Sequence, residues 1–183
     1  MKLMKRKLIA LLLALTTIFS MQTIIGMSTN VHAQTNIPKD ALQYNGHYYY
    51  IYDLNYGWDE AKAYCESLGG YLATITSQEE NDAVFEYMND QGYKSAYFGY
   101  TDEDTEGIWK WVTGETSSYS NWSSGEPNGE NPNEDYAMFY YKYTTGKWND
   151  GDFGGSTVGR DTAFICEWGD YKQMLIQTKI RIQ

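Results

Sequence analysis

Trp58-Asp59-Glu60-Ala61-Lys62-Ala63-Tyr64-Cys65-Glu66-Ser67-Leu68-Gly69-Gly70, then Tyr71-Leu72-Ala73-Thr74-Ile75, then Ser77-Gln78-Glu79-Glu80 decide the front half of this chain. In the first segment Ala61, Cys65 and Leu68 fall at i, i+4 and i+7. They share one helical face, so Cys65 points to the core. Gly69-Gly70 stops the helix. Tyr71 to Ile75 is a short apolar link. Ser77-Gln78-Glu79-Glu80 is a capping box, with the Ser77 hydroxyl meeting the N3 amide and Glu80 reaching back. A second helix is predicted from there to about Asn89, burying Ala83, Val84, Phe85 and Met88.

Strands are predicted on both sides of this helical pair. His47-Tyr48-Tyr49-Tyr50-Ile51-Tyr52 reads as a strand from its aromatic content. Ala96-Tyr97-Phe98-Gly99-Tyr100 reads as a buried strand and Trp109-Lys110-Trp111-Val112 as a half-buried one. Ala137 to Tyr141, Lys147-Trp148 and Thr162 to Trp168 are three more. Between them, Glu115 to Asn133 has few aliphatics and many Gly, Ser, Asn and Pro residues. A structureless stretch of that length is usually functional or disordered.

The ends differ in composition. Lys2, Lys5, Arg6 and Lys7 precede a mostly apolar run from Leu8 to Phe19, too short for a membrane span, and Val31-His32-Ala33 suits signal-peptide cleavage. The alternative is an uncleaved anchor, since Ile24 and Ile25 extend the apolar character. The expected organisation is a signal peptide over 1–33, a polar lead over 34–41, one domain over 42–170 and a tail over 171–183. A lysine-rich leader suits a Gram-positive bacterium, and export places the chain outside the cell with no transmembrane span once it is mature. Cleavage removes four of the 14 basic residues and none of the 24 acidic ones, leaving a net charge of −14. That surface argues against nucleic acid or anionic membrane as a partner and suits metal cations and neutral ligands. The tail mixes Met174, Leu175, Ile176, Ile180 and Ile182 with Lys172, Lys179 and Arg181. An extra strand, an oligomer contact or a disordered extension would each suit it.

Cys65 and Cys166 are the only cysteines. In an exported domain an even count reads as a disulfide. Closing a loop of about 100 residues is worth roughly 4.7 kcal/mol in the chain-entropy account. Two buried free thiols are the alternative.

Glu126-Pro127-Asn128, Glu134-Asp135 and Trp148-Asn149-Asp150 follow in order, and no Lys or Arg lies between Trp111 and Tyr141. Glu126, Glu134 and Asp150 with Asn128 and Asn149 form a hard, oxygen-only donor set. Calcium accepts six to eight such oxygens, whereas zinc prefers His or Cys, which this stretch lacks. Alone, Glu126-Pro127-Asn128 would read as a solvated turn; the other two motifs reverse that reading.

Taken together, these pieces resemble the C-type lectin domain over about Leu42 to Asp170. The resemblance rests on Trp58-Asp59-Glu60-Ala61 through Cys65 and Gly69-Gly70; Leu72-Ala73-Thr74-Ile75 with Ser77 and Glu80; Tyr97-Phe98-Gly99; Trp109-Lys110-Trp111; and Ala163-Phe164-Ile165-Cys166-Glu167. It implies an α+β fold, the C-type lectin fold: two helices flanking small antiparallel sheets, with a long loop carrying the ligand site. It also implies a Cys65–Cys166 bond tying the first helix to the last strand.

The resemblance assigns calcium to Glu126, Asn128, Glu134, Asn149 and Asp150, with the Asp150 carbonyl as a further oxygen and a cis Glu126-Pro127 bond. About two places then remain in a shell of up to roughly eight, and two vicinal sugar hydroxyls can fill them. Glu126 only accepts hydrogen bonds, while Asn128 carries donors. That Glu-then-Asn order, with Glu134 eight positions on, resembles members preferring mannose, glucose, N-acetylglucosamine or fucose; Gln-then-Asp goes with galactose. The implied partners are glycans or glycoproteins.

A second calcium would draw on Asp102 and Glu106, in Thr101-Asp102-Glu103-Asp104-Thr105-Glu106-Gly107, together with Asp135. A solvated acidic turn is the alternative there. The position after Asn128, often Asp in members with this site, is Gly129; Glu130 is the candidate substitute. Tyr136 stands where the family usually has a cysteine, and Gly151 to Arg160 contains none, so a second disulfide is absent. Asn121-Trp122-Ser123 matches a glycosylation sequon, which a bacterial source would leave unused.

The leading function is a secreted, calcium-dependent carbohydrate-binding module. A protein-binding domain with a structural calcium is the alternative. Enzyme activity is not expected. Metal-bound carboxylates are poor general acids, His47 lies in an aromatic strand, and both cysteines are assigned to the disulfide.

Overall fold

A computed structural model of the protein describes residues 36–129, 134–140, 142, 144–152 and 163–169. The expected signal peptide, Glu130, the segment after Asp152 and the tail lie outside the described residues. The strands are β1 (Leu42–Tyr44), β2 (His47–Asp53), β3 (Tyr71–Leu72), β4 (Ala96–Thr101), β5 (Lys110–Trp111), β6 (Tyr136–Phe139), β7 (Trp148–Gly151) and β8 (Ala163–Trp168). The helices are α1 (Trp58–Ser67) and α2 (Gln78–Asp90). No helix among the described residues is long and apolar enough to cross a membrane.

The strands join one sheet in the order β1-β2-β8-β4-β6-β7, with β3 also on β8 and β5 on β4. This differs from the expected small antiparallel sheets. β8 runs antiparallel to β2 from Tyr48↔Trp168 to Asp53↔Ala163, but parallel to β4 at Tyr97↔Phe164. An apolar cluster covers each face of β8, Ala163 and Ile165 on one side and Phe164, Cys166 and Trp168 on the other, and all six of its residues are buried.

Side chains alternate across this sheet, as the pleat requires. Tyr49 and Ile51 of β2, Phe98 of β4, Phe139 of β6 and Ile165 of β8 enter one apolar cluster. Tyr50 and Tyr52, Tyr97, Met138, and Phe164 with Cys166 enter the other. α1 covers the second cluster with Trp58, Ala61 and Cys65, and α2 covers the first with Val84 and Met88. The tyrosine-rich run in β2 is therefore a period-2 strand whose two faces serve two cores.

Cys65 and Cys166 are both fully buried. No bond joins them in this structure, and their side chains hydrogen-bond to each other. Their apposition follows from the fold, because Cys166 takes the β8 face that α1 covers. Burial, then the hydrogen bond to Cys65, pushes the Cys166 thiol up.

α2 departs from expectation in its first turn. Ser77 Oγ accepts from Glu80 N at 3.1 Å, as a cap should. Glu80 does not return the bond to Ser77. Its Oε2 accepts from Thr76 N at 2.7 Å, and its Oε1 from Tyr49 OH at 2.5 Å. Ala83 and Phe85 are half-buried, while Glu80 and Asn81 are buried. The apolar residues of α2 face the sheet, and its first turn presses onto polar groups of β2 and of the turn before β7.

Candidate functional site

The long loop reaches the sheet edge through Asn121-Trp122-Ser123. Trp122 bridges Trp148, and Ser123 N donates to Trp148 O at 2.9 Å. Glu126 N then donates to Ser123 O at 3.1 Å, and the Glu126-Pro127 bond is cis, as the resemblance implied. These links set Glu126 and Asn128 beside β7, which carries Asn149 and Asp150.

Four of the five expected donors meet directly. Asp150 Oδ2 accepts from Asn128 N and from Gly129 N, both at 2.9 Å. Asn128 Nδ2 donates to Glu126 Oε2 at 2.5 Å. The Asn149 amide lies against the Asp150 carbonyl oxygen. The fifth, Glu134, is half-buried two residues before β6. Tyr136 of β6 pairs with Gly151 and Ala137 with Asp150, so the topology brings Glu134 to the Asp150 end of the sheet.

One atom tests whether these residues suit a cation. Asp150 is 1% exposed, and its Oδ1 is buried without a hydrogen-bond partner. A buried carboxylate oxygen left unpaired costs more than a neutral one, on the order of several kcal/mol for an ionised group. A divalent ion would pair it. Among the described residues, no three acidic, histidine or cysteine side chains cluster closely enough to hold a metal by themselves. Any ion here must take oxygens from the Asn128 and Asn149 amides and the Asp150 carbonyl, donors that calcium accepts and zinc does not prefer.

The second acidic group lies alongside. Asp102 is 3% exposed; its Oδ2 accepts from Gly107 N at 2.8 Å and its Oδ1 is buried without a partner. Asp102 N donates to Asp135 O at 3.2 Å. Burial pushes the Asp102 carboxyl up; the Gly107 N–H opposes this, while Glu106 and Asp135 add to it. Asp135 is also pushed up, by burial and then by Asp152. Glu106 packs against Gly129, where a Cβ would meet Glu106 Oε1 at 3.0 Å on a backbone with φ 52°. The glycine that departs from the family pattern thus makes room for Glu106. Asp102 is buried and Asp135 half-buried, whereas Glu103, Asp104, Thr105, Glu106 and Gly107 are exposed, as in a solvated turn.

A polar network elsewhere escaped the motif reading. A cavity of about 580 Å³ is lined in part by His47, Thr76, Glu79, Glu80, Glu115 and Glu167. Glu167 is 1% exposed; Oε1 meets His47 Nδ1 at 2.6 Å and Tyr71 OH at 2.8 Å, and Oε2 accepts from Thr74 N at 2.8 Å. The hydrogen bond to Glu167 holds His47 above its ordinary 6.5, against the effect of burial. Complete burial pushes Glu167 up despite His47, Thr74 and Tyr71. These partners come from β2, β3, β8 and the link after β3, so only tertiary pairing reveals them. His47 thus has a structural role as a hydrogen-bond partner of Glu167.

The family model described as Lectin C-type domain matches residues 54–168. Halomucin of Haloquadratum walsbyi is 35% identical over 125 residues, covering 58% of this chain but only 1% of that protein. Lectin BRA-3 of Megabalanus rosa is 32% identical over 130 residues, covering 70% of this chain and 75% of that one. Among solved structures, the cow C-type carbohydrate-recognition domain of CD23, determined in the presence of GlcNAc2Man3 oligosaccharide, matches with a TM-score of 0.61 at 30% identity, covering 72% of this chain and 94% of that chain.

Proposed function

This chain belongs to the C-type lectin domain family, and we propose that it acts as a secreted, calcium-dependent carbohydrate-binding module for mannose-, glucose-, N-acetylglucosamine- or fucose-type glycans. The family's domain binds carbohydrate and is not an enzyme. The observation that carries the calcium reading is the buried, unpartnered Oδ1 of Asp150 within a patch of oxygen donors. Glu126, Asn128, Glu134, Asn149 and Asp150 would hold the ion, and Asp102, Glu106 and Asp135 a second one.

Bound calcium would supply two open coordination positions for vicinal hydroxyls. The protein's part is to orient them. Glu126 accepts from a sugar hydroxyl and the Asn128 amide donates to one, while Asp150 fixes the Asn128 backbone. Cleavage after residue 33 and a Cys65–Cys166 bond belong to the same reading of an exported chain.

A glycan array probed with the mature protein, in calcium and in chelator, tests this function. The expected result is binding to mannose-type glycans that chelator abolishes and free mannose displaces. Binding that survives chelator would refute the calcium dependence. Partner binding indifferent to every sugar would favour the protein-binding alternative.

A further inference from the structure

Asn81 sits in the first turns of α2, anchored by the capped end of the helix: its N–H donates to Ser77 O at 3.0 Å. Its exposure is 0%. A buried amide must find partners for both its donor and its acceptor. Asn81 finds them 65 and 67 residues away. Nδ2 donates to Gly146 O at 3.1 Å, and Oδ1 accepts from Trp148 Nε1 at 2.7 Å.

Asn121 completes the node. Its Nδ2 donates to the same Gly146 carbonyl at 2.8 Å, and its Oδ1 accepts from Lys147 Nζ at 2.5 Å. Its own carbonyl accepts from Trp148 N at 2.9 Å. Gly146 has φ 66°, and a Cβ there would meet Asn81 Nδ2 at 2.8 Å, so the node closes only around glycine. The engaged, buried Asn121 side chain is also unsuited to carrying a glycan.

Both ligand-bearing segments leave this node. Gly146 to Trp148 lead directly into Asn149 and Asp150, and Asn121 to Ser123 lead to Glu126 and Asn128. We propose that Asn81 is a positioning residue for the calcium and sugar site, setting the register between those two segments; this rests on the calcium reading above. The hydrogen bonds of the Asn81 side chain go to Gly146 and Trp148, which are not candidate ligands. It fixes the Gly146 carbonyl and the Trp148 indole against α2. Calcium oxygens must converge at about 2.3–2.6 Å, so a small shift of one segment against the other is read as lost affinity. Partners that orient metal ligands typically contribute about 10- to 100-fold in affinity.

The test compares Asn81→Ala and Asn81→Asp with Val84→Ala, a buried change further along the same helix that removes only apolar packing. Calcium affinity is measured by calorimetric titration, well below each variant's melting midpoint in chelator. Asn81→Ala is expected to weaken calcium binding about tenfold or more. Val84→Ala is expected to lower the melting midpoint while leaving affinity within about twofold. Asn81→Asp keeps an acceptor for Trp148 and loses the donor to Gly146, so it carries the test if the alanine variant does not fold, with a loss of several-fold expected. Unchanged affinity in a folded Asn81 variant, or equal loss in the Asn81 and Val84 variants, overturns the proposal. A wild-type protein that binds no calcium refutes the calcium reading and this inference with it, whereas a calcium-binding wild type with unaffected Asn81 variants refutes this inference alone.

Discussion

Asp150 holds Asn128 across 22 residues of sequence: its Oδ2 accepts the Asn128 backbone N–H at 2.9 Å, while its Oδ1 stays buried and unpaired. One oxygen shapes the loop, and the other makes no hydrogen bond.

The two oxygens are separable by substitution. Asp150→Asn keeps one oxygen for the Asn128 and Gly129 N–H groups and removes the charge. It is expected to weaken calcium at least tenfold while changing the melting midpoint in chelator little. Asp150→Ala loses both roles and should destabilise the chelated protein by about 1–3 kcal/mol. In the wild type, calcium at a hundredfold over its Kd should add about 2.7 kcal/mol, a shift of roughly 5–10 °C for a chain of this size. Thermal melts in calcium and chelator check all three. A wild-type midpoint indifferent to calcium would sink the metal assignment.

Sugar choice is expected to reside in Glu126 and Asn128, which meet through Asn128 Nδ2 and Glu126 Oε2. Exchanging acid and amide, as Glu126→Gln with Asn128→Asp, keeps the formal charge and reverses the donor order. Mannose affinity should fall by at least tenfold, about 1.4 kcal/mol, with calcium retained. Titration of both ligands into the double variant decides it; undiminished mannose binding would place the sugar elsewhere.

Cys65 and Cys166 lie together in the core beneath α1. In protein from an oxidising compartment they are expected to be bonded. Intact mass after alkylation under denaturing conditions without reductant should show no label, and reduction should cost about 2–5 kcal/mol of stability. Two labelled thiols would remove the bond.

His47 gives a pH signature. Its folded pKa is raised above the ordinary 6.5 by Glu167, so its contribution is fully present below 6.5 and is lost as pH rises through the folded value. Glu167, also raised, acts in the same direction from its ordinary 4.5 upward. The melting midpoint in chelator should therefore decline across the window above 6.5, and His47→Gln should flatten that decline. Equal slopes in wild type and variant would show that the pair contributes nothing to the pH dependence.

The two helices and most of the strands were legible in the chain, because they depend on local order: apolar residues at i, i+4 and i+7, a Ser cap, glycine stops and aromatic runs. The chemistry of Glu126, Asn128, Asn149 and Asp150 was legible for the same reason, since donor type is a property of the side chain. What the sequence by itself determined was thus the set of elements and the set of donors. Tertiary structure alone decided that β4 and β8 run parallel within one sheet, that Glu80 turns to Thr76 and Tyr49, and that His47 meets Glu167. It also decided that Asn81 holds Gly146 and Trp148. Apart from the local Glu80–Thr76 bond, each of these joins elements distant along the chain, and a buried polar group takes whichever partner packing brings to it. Neither periodicity nor motif spacing encodes that choice.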